Sequence, residues 1–179
     1  MSDPVLQRRA ALADVVVPAA LGLTEQTGRL RYTLRCGEAA YAAVEAALGF
    51  ALPVEACRST SKGARAALWL GPDEWLLLTD EGDDLAVALK ASLGDRFHSL
   101  VDVSERQSSL LLDHPDAETL LNGACALDLA ETAFPVGACT RTLLGKAEIG
   151  LWRLGPTRFQ LEVWRSFCPY VAGLIQAQS

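Results

Sequence analysis

Apolar and polar residues alternate along several short stretches of the chain, and this pattern predicts β-strands. Leu30, Tyr32 and Leu34 alternate with polar residues over residues 29–35, which indicates a strand with one face in a core. The same alternation over residues 158–164 predicts a second such strand. Shorter apolar runs predict further strands at residues 66–70, 74–79, 99–103, 108–112, 140–144 and 148–154.

Apolar side chains spaced three and four residues apart predict helices between these strands. Over residues 38–48, Tyr41, Val44 and Leu48 recur at this spacing, and Gly49 can close the helix. Three more helices are predicted: residues 84–93, a two-turn helix between Pro115 and Gly123, and a closing helix capped by Ser166.

The order of these elements mixes short strands with helices and lacks regular βαβ alternation, so we predict an α+β fold with mixed or antiparallel sheets and flanking helices. The two halves repeat this order crudely, which indicates an internal duplication. Residues 1–27 contain Pro4, Pro18 and Gly22 without sustained periodicity. We therefore predict an N-terminal arm over residues 1–27 and a single domain over residues 28–179.

Composition excludes several classes of protein. The formal net charge of -6 and the pI of about 4.9 disfavour nucleic acid as a partner. The alanine-rich start is interrupted by Asp14 and Pro18, so neither a membrane span nor a signal peptide is expected and we predict a cytoplasmic protein. The five cysteines are odd in number and widely spread, which favours buried free thiols over a metal site.

Motifs that carry common chemistries are missing from the sequence. It contains no GxGxxG, GxxxxGK[ST] or GxSxG pattern, so a dinucleotide site, a phosphate loop and a serine hydrolase are not expected. A pocket combining Asp102 and Asp128 would be needed for acid and base catalysis, and the sequence leaves that meeting open. We predict no catalytic, cofactor or metal residue on this chain.

The segment 127–142 offers a structural or interface role instead. Asp128 and Arg141 stand among apolar residues, where a partly buried ion pair or hydrogen bonding to the backbone would satisfy both, and Phe134 begins a Pro-Gly corner. Tryptophan and arginine are common in interface hot spots, so Trp164 and Arg165 form a candidate anchor. Core filling remains the alternative for each of the four tryptophans: Trp69, Trp75, Trp152 and Trp164.

Four ordered motifs carry a resemblance that covers the chain from about Leu30 to Ile175. They are WLGPDEWLLL at Trp69, VDVSERQSSLLL at Val101, LDLAETAFPVGACTRTLLGKAEIGLWR at Leu127 and EVWRSFCPYV at Glu162. On these motifs the chain resembles the gamma subunit of bacterial heterotetrameric sarcosine oxidase. The resemblance implies a fold similar to the folate-binding domain of aminomethyltransferases.

The resemblance also implies partners and cofactors. It implies alpha, beta and delta subunits, chiefly alpha, in a complex that demethylates sarcosine to glycine, formaldehyde or 5,10-methylenetetrahydrofolate, and hydrogen peroxide. FAD, FMN, NAD, tetrahydrofolate and zinc are then expected on partner subunits. The chain itself is expected to be a structural subunit without an active site.

The sequence leaves two alternative functions open. The first is a stand-alone folate-binding protein that holds a pteridine with the loop around Asp128 and Phe134. The second is an aminomethyltransferase-like enzyme, which is disfavoured because such enzymes are about twice as long as this chain.

Overall fold

Two five-stranded antiparallel sheets form the centre of the protein, which a computed structural model describes over residues 9–179. The strands are β1 (Leu23–Gln26), β2 (Arg29–Cys36), β3 (Ser59–Lys62), β4 (Arg65–Gly71), β5 (Glu74–Asp80), β6 (His98–Asp102), β7 (Gln107–Asp113), β8 (Cys139–Leu144), β9 (Ala147–Gly155) and β10 (Arg158–Trp164). The helices are α1 (Tyr41–Leu48), α2 (Leu85–Leu93), α3 (Ala117–Asn122) and α4 (Cys168–Gln176), with 3-10 turns at Ala19–Leu21, Glu38–Ala40 and Arg165–Phe167.

The strand order of the two sheets reveals the duplication. The first-half sheet has the order β3-β4-β5-β2-β6, and the second-half sheet has the order β8-β9-β10-β7-β1. In each half, a central strand leads through a helix into a three-stranded meander and then into a second helix. The fifth position is filled by β6 in the first half and by the N-terminal strand β1 in the second, so the predicted duplication is present at the level of topology.

The core consists of three apolar clusters that define four layers. One cluster packs α1 and α2 against the first-half sheet and includes Val44, Trp75 and Leu89. A second cluster joins the helices of the other half to the second-half sheet. The third lies between the sheets, where Leu76 of β5 meets Trp152 of β9. The layers are therefore helices, first-half sheet, second-half sheet and helices.

The predicted α+β class with antiparallel sheets is confirmed, and the strand predicted at residues 158–164 coincides with β10. Asp84 is the N-cap residue of α2, and the side chain of the preceding Asp83 accepts a hydrogen bond from the Leu85 N–H at 2.7 Å. Gly49 and Gly94 end α1 and α2.

The predicted arm requires one correction. Residues 23–26 form β1, which pairs with β7, and Leu21 and Leu23 are buried in the core of the second half. Four residues are too few to show a clear alternation in sequence, and their strand is fixed by the partner β7. Residues 1–8 of the predicted arm lie outside the described residues, and the domain division at residues 27 and 28 stays a prediction.

No helix within residues 9–179 is long and apolar enough to cross a membrane.

Candidate functional site

A cleft of about 340 Å³ opens between the two sheets. Residues of β2, β4, β5 and β6 in the first-half sheet and of β7, β8, β9 and β10 in the second-half sheet line it. Its lining residues are Thr33, Leu70, Glu74, Leu76, Val101, Val103, Arg106, Gln107, Arg141, Glu148, Ile149, Gly150, Glu162 and Trp164. Polar and apolar groups contribute in similar measure, which suits a protein contact as well as a small ligand.

A buried ion pair between the sheets lies beside this cleft, which its Glu162 side chain helps to line. Arg31 Nε on β2 donates to Glu162 Oε2 on β10 at 2.6 Å, and the two side chains are only 4% and 1% exposed. Ser109 and Gln160 also donate to the Glu162 carboxylate, the latter at 2.6 Å. Arg31 donates further to Ser109 Oγ at 2.6 Å and to the Arg29 carbonyl at 2.9 Å.

Three side-chain donors therefore bind the Glu162 carboxylate, and the bond from Arg31 links the two sheets. A general base needs a lone pair that faces the proton it removes. We therefore interpret the Arg31 and Glu162 pair as a structural ion pair that links the two halves.

The rim of the cleft carries a second set of charges. Arg141 on β8 pairs with Glu74 on β5, which again links the two sheets. The Arg106 guanidinium lies over the Trp164 ring, 5.3 Å from its centroid. Gln107 Oε1 is buried and has no hydrogen-bond partner among residues 9–179, so the cleft contains an acceptor that needs a donor.

Of the two predicted roles for Asp128 and Arg141, the ion pair between them is wrong, and hydrogen bonding to the backbone is found for Asp128. Asp128 is exposed, and its Oδ1 accepts a hydrogen bond from the Ala130 N–H at 2.9 Å, closing a local turn. Arg141 binds Glu74 instead. Asp102 likewise closes a local turn through the Ser104 N–H at 2.9 Å, so each of the two aspartates has a local structural partner.

Arg153 fixes the loop that joins α3 to β8, here called the signature loop (residues 127–138). Its Nη1 donates to the carbonyls of Leu129 at 2.7 Å and Phe134 at 3.0 Å, while Nη2 donates to the Pro156 carbonyl at 2.7 Å. Its guanidinium also lies 5.0 Å from the centroid of the Phe159 ring. The sequence does not single out Arg153, because alternation along β9 does not reveal which side chain donates hydrogen bonds to the loop.

Phe134 itself is buried, and the Pro-Gly corner after it is formed as predicted, with Gly137 at a φ of 87°. Ser59 of β3 donates from both its N–H and its hydroxyl to the Gly137 carbonyl, at 3.0 and 2.7 Å. The signature loop is therefore anchored on both sheets.

The tryptophans divide between core and surface. Trp75 is fully buried, and its Nε1 donates to the Pro53 carbonyl at 2.7 Å. Its ring meets Tyr41 edge to face at a centroid distance of 5.4 Å. Trp164 is 44% exposed beside the cleft, and the adjacent Arg165 donates to the backbone carbonyl of Arg9. Trp75 thus has a core role, whereas Trp164 is available to a partner.

The buried cysteines are poor nucleophiles. Desolvation by burial raises the pKa of both Cys139 and Cys168 to about 12, so both remain thiols at neutral pH. Burial also raises the pKa of Cys36, and the nearby Asp73 adds to that rise. All five cysteines are free, as the sequence predicts.

Comparison with known families identifies the fold and the sequence type together. Residues 35–179 match the model of a family described as "Sarcosine oxidase, gamma subunit family". The chain is 37% identical over 145 residues to a sarcosine oxidase subunit gamma from Corynebacterium sp. (strain P-1), an alignment that covers 80% of this chain and 71% of the relative. A subunit gamma from Corynebacterium sp. (strain U-96) is 33% identical over 183 residues, with 99% and 89% covered.

Two solved structures extend the comparison to the fold. One chain of the heterotetrameric sarcosine oxidase from Corynebacterium sp. U-96, solved with pyrrole 2-carboxylate, matches with a TM-score of 0.86 and 30% identity over 96% of this chain and 94% of that chain. Aminomethyltransferase T of the glycine cleavage system from Bartonella henselae matches with a TM-score of 0.58 and 16% identity over 86% of this chain and 45% of that chain. The second likeness concerns the fold alone.

Proposed function

This chain belongs to the sarcosine oxidase gamma subunit family, and we propose that it is a non-catalytic structural subunit of a heterotetrameric sarcosine oxidase. The observation that carries the proposal is the match to a chain of such a complex, which extends over 94% of that chain with a TM-score of 0.86. Nearly the whole of one chain therefore has its counterpart in the other.

The internal chemistry of the chain fits a scaffold. The Arg31 and Glu162 pair and the Arg153 guanidinium each make several hydrogen bonds within the chain. Within residues 9–179, no group of three or more His, Cys, Asp or Glu side chains is placed to hold a metal ion. The hydrogen bonds of Arg31, Glu162 and Arg153 thus have structural uses, which supports an assembly role.

We propose that the partners are alpha, beta and delta subunits, and that the principal contact is with alpha. In this arrangement the complex oxidises sarcosine to glycine, with formaldehyde or 5,10-methylenetetrahydrofolate and hydrogen peroxide as the other products. FAD, FMN, NAD, tetrahydrofolate and zinc would be held by the partner subunits, and the complex would work in the cytoplasm.

Co-expression of the tagged chain with alpha, beta and delta subunits tests this proposal. We expect all four polypeptides to be recovered together, with sarcosine-dependent oxygen consumption in the recovered fraction. Recovery of the tagged chain alone, with full activity left in the remaining three subunits, would overturn it. Calorimetric titration of the isolated chain with tetrahydrofolate is the companion measurement, and tight binding there would favour a folate-binding protein instead.

A further inference from the structure

Within residues 9–179, strand β6 has a strand partner on one side only. It is the last strand of the first-half sheet and pairs only with β2 within that sheet. The Val103 N–H donates to the Arg31 carbonyl at 2.9 Å, so these two opposite residues are a hydrogen-bonded pair of the ladder between β6 and β2. Bonded residues alternate in an antiparallel pair, so Ser99 and Val101 face β2 and the intervening residues face outward. The outward N–H and carbonyl groups are those of His98, Leu100 and Asp102.

Exposed apolar side chains lie along this edge. Phe97, immediately before β6, is 97% exposed, and Val101 within the strand is 50% exposed. Val101 also lines the cleft between the sheets together with the exposed Trp164. An open strand edge with exposed aromatic and branched side chains invites pairing with another extended chain.

In the second half, the corresponding edge strand β1 is hydrogen-bonded to the segment of chain that precedes it. Residues 10–17 precede β1, and their apolar side chains pack against the core of that half. Glu25 on β1 holds this segment by accepting hydrogen bonds from the N–H groups of Ala11 and Leu12 at 2.9 and 2.8 Å. Only residues 94–97 separate α2 from β6. The first half therefore has no comparable covering segment within the described residues.

We propose that an extended segment of a partner subunit adds to β6 as a sixth strand of the first-half sheet and seats an apolar side chain against Val101 and Trp164 at the mouth of the cleft. The proposal rests on the proposed function, because it requires a partner subunit. Backbone hydrogen bonds from the added strand satisfy the outward groups of β6, and alternate side chains of the segment reach the cleft.

A different polypeptide fits this edge better than a second copy of the same chain. Each copy carries a formal net charge of -6, so two copies repel one another on approach. The chain that this one matches over 94% of its length was solved within a heterotetramer, and such an assembly supplies other polypeptides as occupants. The occupant is thus a segment with apolar residues at alternate positions and with a free strand backbone.

The combined substitution Phe97→Asp and Val101→Lys tests whether the exposed apolar side chains of this edge bind the partner. Both residues are exposed, so the fold should survive, and a thermal melt of the isolated chain checks this. In the co-expressed oxidase we expect the affinity of the variant for the other subunits to fall by about 10-fold or more. The control Val87→Lys changes an equally apolar residue, 71% exposed on α2, and should stay within about 2-fold of wild type.

Hydrogen exchange of the wild-type chain tests the backbone pairing without any variant. On assembly, the amides of His98, Leu100 and Asp102 should exchange about 10-fold or more slowly, whereas the amides of Ser99 and Val101 are already protected by β2. Side-chain contact without strand addition would leave the outward amides unchanged.

The outcomes separate this inference from the proposed function. If the wild-type chain assembles but the edge variant binds equally well, or β6 gains no protection, the docking proposal is overturned and the proposed function stands. If the wild-type chain fails to assemble at all, the proposed function itself fails. A dimer of the isolated chain that Phe97→Asp abolishes would assign the edge to a second copy and overturn the choice of occupant.

Discussion

Removing either partner of the Arg31 and Glu162 pair should destabilise the isolated chain far more than its single ion pair suggests. Glu162→Leu leaves the Arg31 guanidinium, whose side chain is 4% exposed, buried between the sheets without a counterion. Breaking a buried pair in this way costs about 3–5 kcal/mol, because the remaining charge has no counterion. For a chain of this length that corresponds to a fall in Tm of roughly 6–20 °C.

Urea unfolding followed by far-ultraviolet circular dichroism measures this cost, provided that unfolding is two-state. The double variant Arg31→Met with Glu162→Leu should lose less than the sum of the two single losses by about 2–3 kcal/mol, because it leaves no unpaired charge. Ser109 and Gln160 can keep their mutual hydrogen bond of 3.4 Å in that variant. The measurement therefore isolates the charge pair from its polar neighbours.

The matched control lies on the same strand. Arg29 Nη1 binds Asp80 Oδ1 at 2.9 Å, but the Asp80 side chain is 56% exposed. Asp80→Asn should therefore cost less than about 1 kcal/mol, as exposed ion pairs generally do. A loss below about 1 kcal/mol for Glu162→Leu, or strict additivity in the double variant, would refute the interpretation of this pair as a structural ion pair that links the two halves.

Three further predictions concern the core, the signature loop and acid stability. Trp75→Phe should lower the free energy of unfolding in urea by about 2–4 kcal/mol, since it opens a cavity and leaves the Pro53 carbonyl without its donor. A loss under about 1 kcal/mol would contradict this. Arg153→Met should release the signature loop, so limited thermolysin digestion should cut there first, and an unchanged cleavage pattern would count against the anchoring role. Hydrogen bonding to Arg65 lowers the pKa of Asp83, so its stabilising effect is present above the ordinary pKa of about 4 and is lost as pH falls through the folded-state value. The Tm difference between wild type and Asp83→Asn should accordingly be large at pH 7 and small at pH 3, and an equal difference at both would be the refuting result.

The elements of the fold follow from local sequence more readily than its interior contacts. Turn residues and apolar spacing predict β10 and the start of α2, because these signals act within a few residues. The arginine-bearing face of β2 looks like a solvent face in sequence. A second sheet covers that face, and so Arg31 is buried although its neighbours in the pattern suggest exposure.

The hydrogen bonds and ion pairs between residues far apart in sequence are the least predictable feature of the site. Asp128 and Arg141 are close in sequence, yet Arg141 binds Glu74, which is 67 residues away along the chain. The strand β1 was missed for the same reason, since its partner β7 lies about 85 residues later. Contacts between distant segments depend on the topology of the duplicated halves, which alternation and spacing do not encode.

The subunit assignment is tested most directly by native mass spectrometry of the complex recovered from co-expression with alpha, beta and delta subunits. The account predicts one assembly that contains this chain together with the other three polypeptides, and dissociation of the chain from it only under conditions that disrupt the complex. A stable and fully active assembly of the other three subunits, with this chain present only as a free monomer, would contradict it.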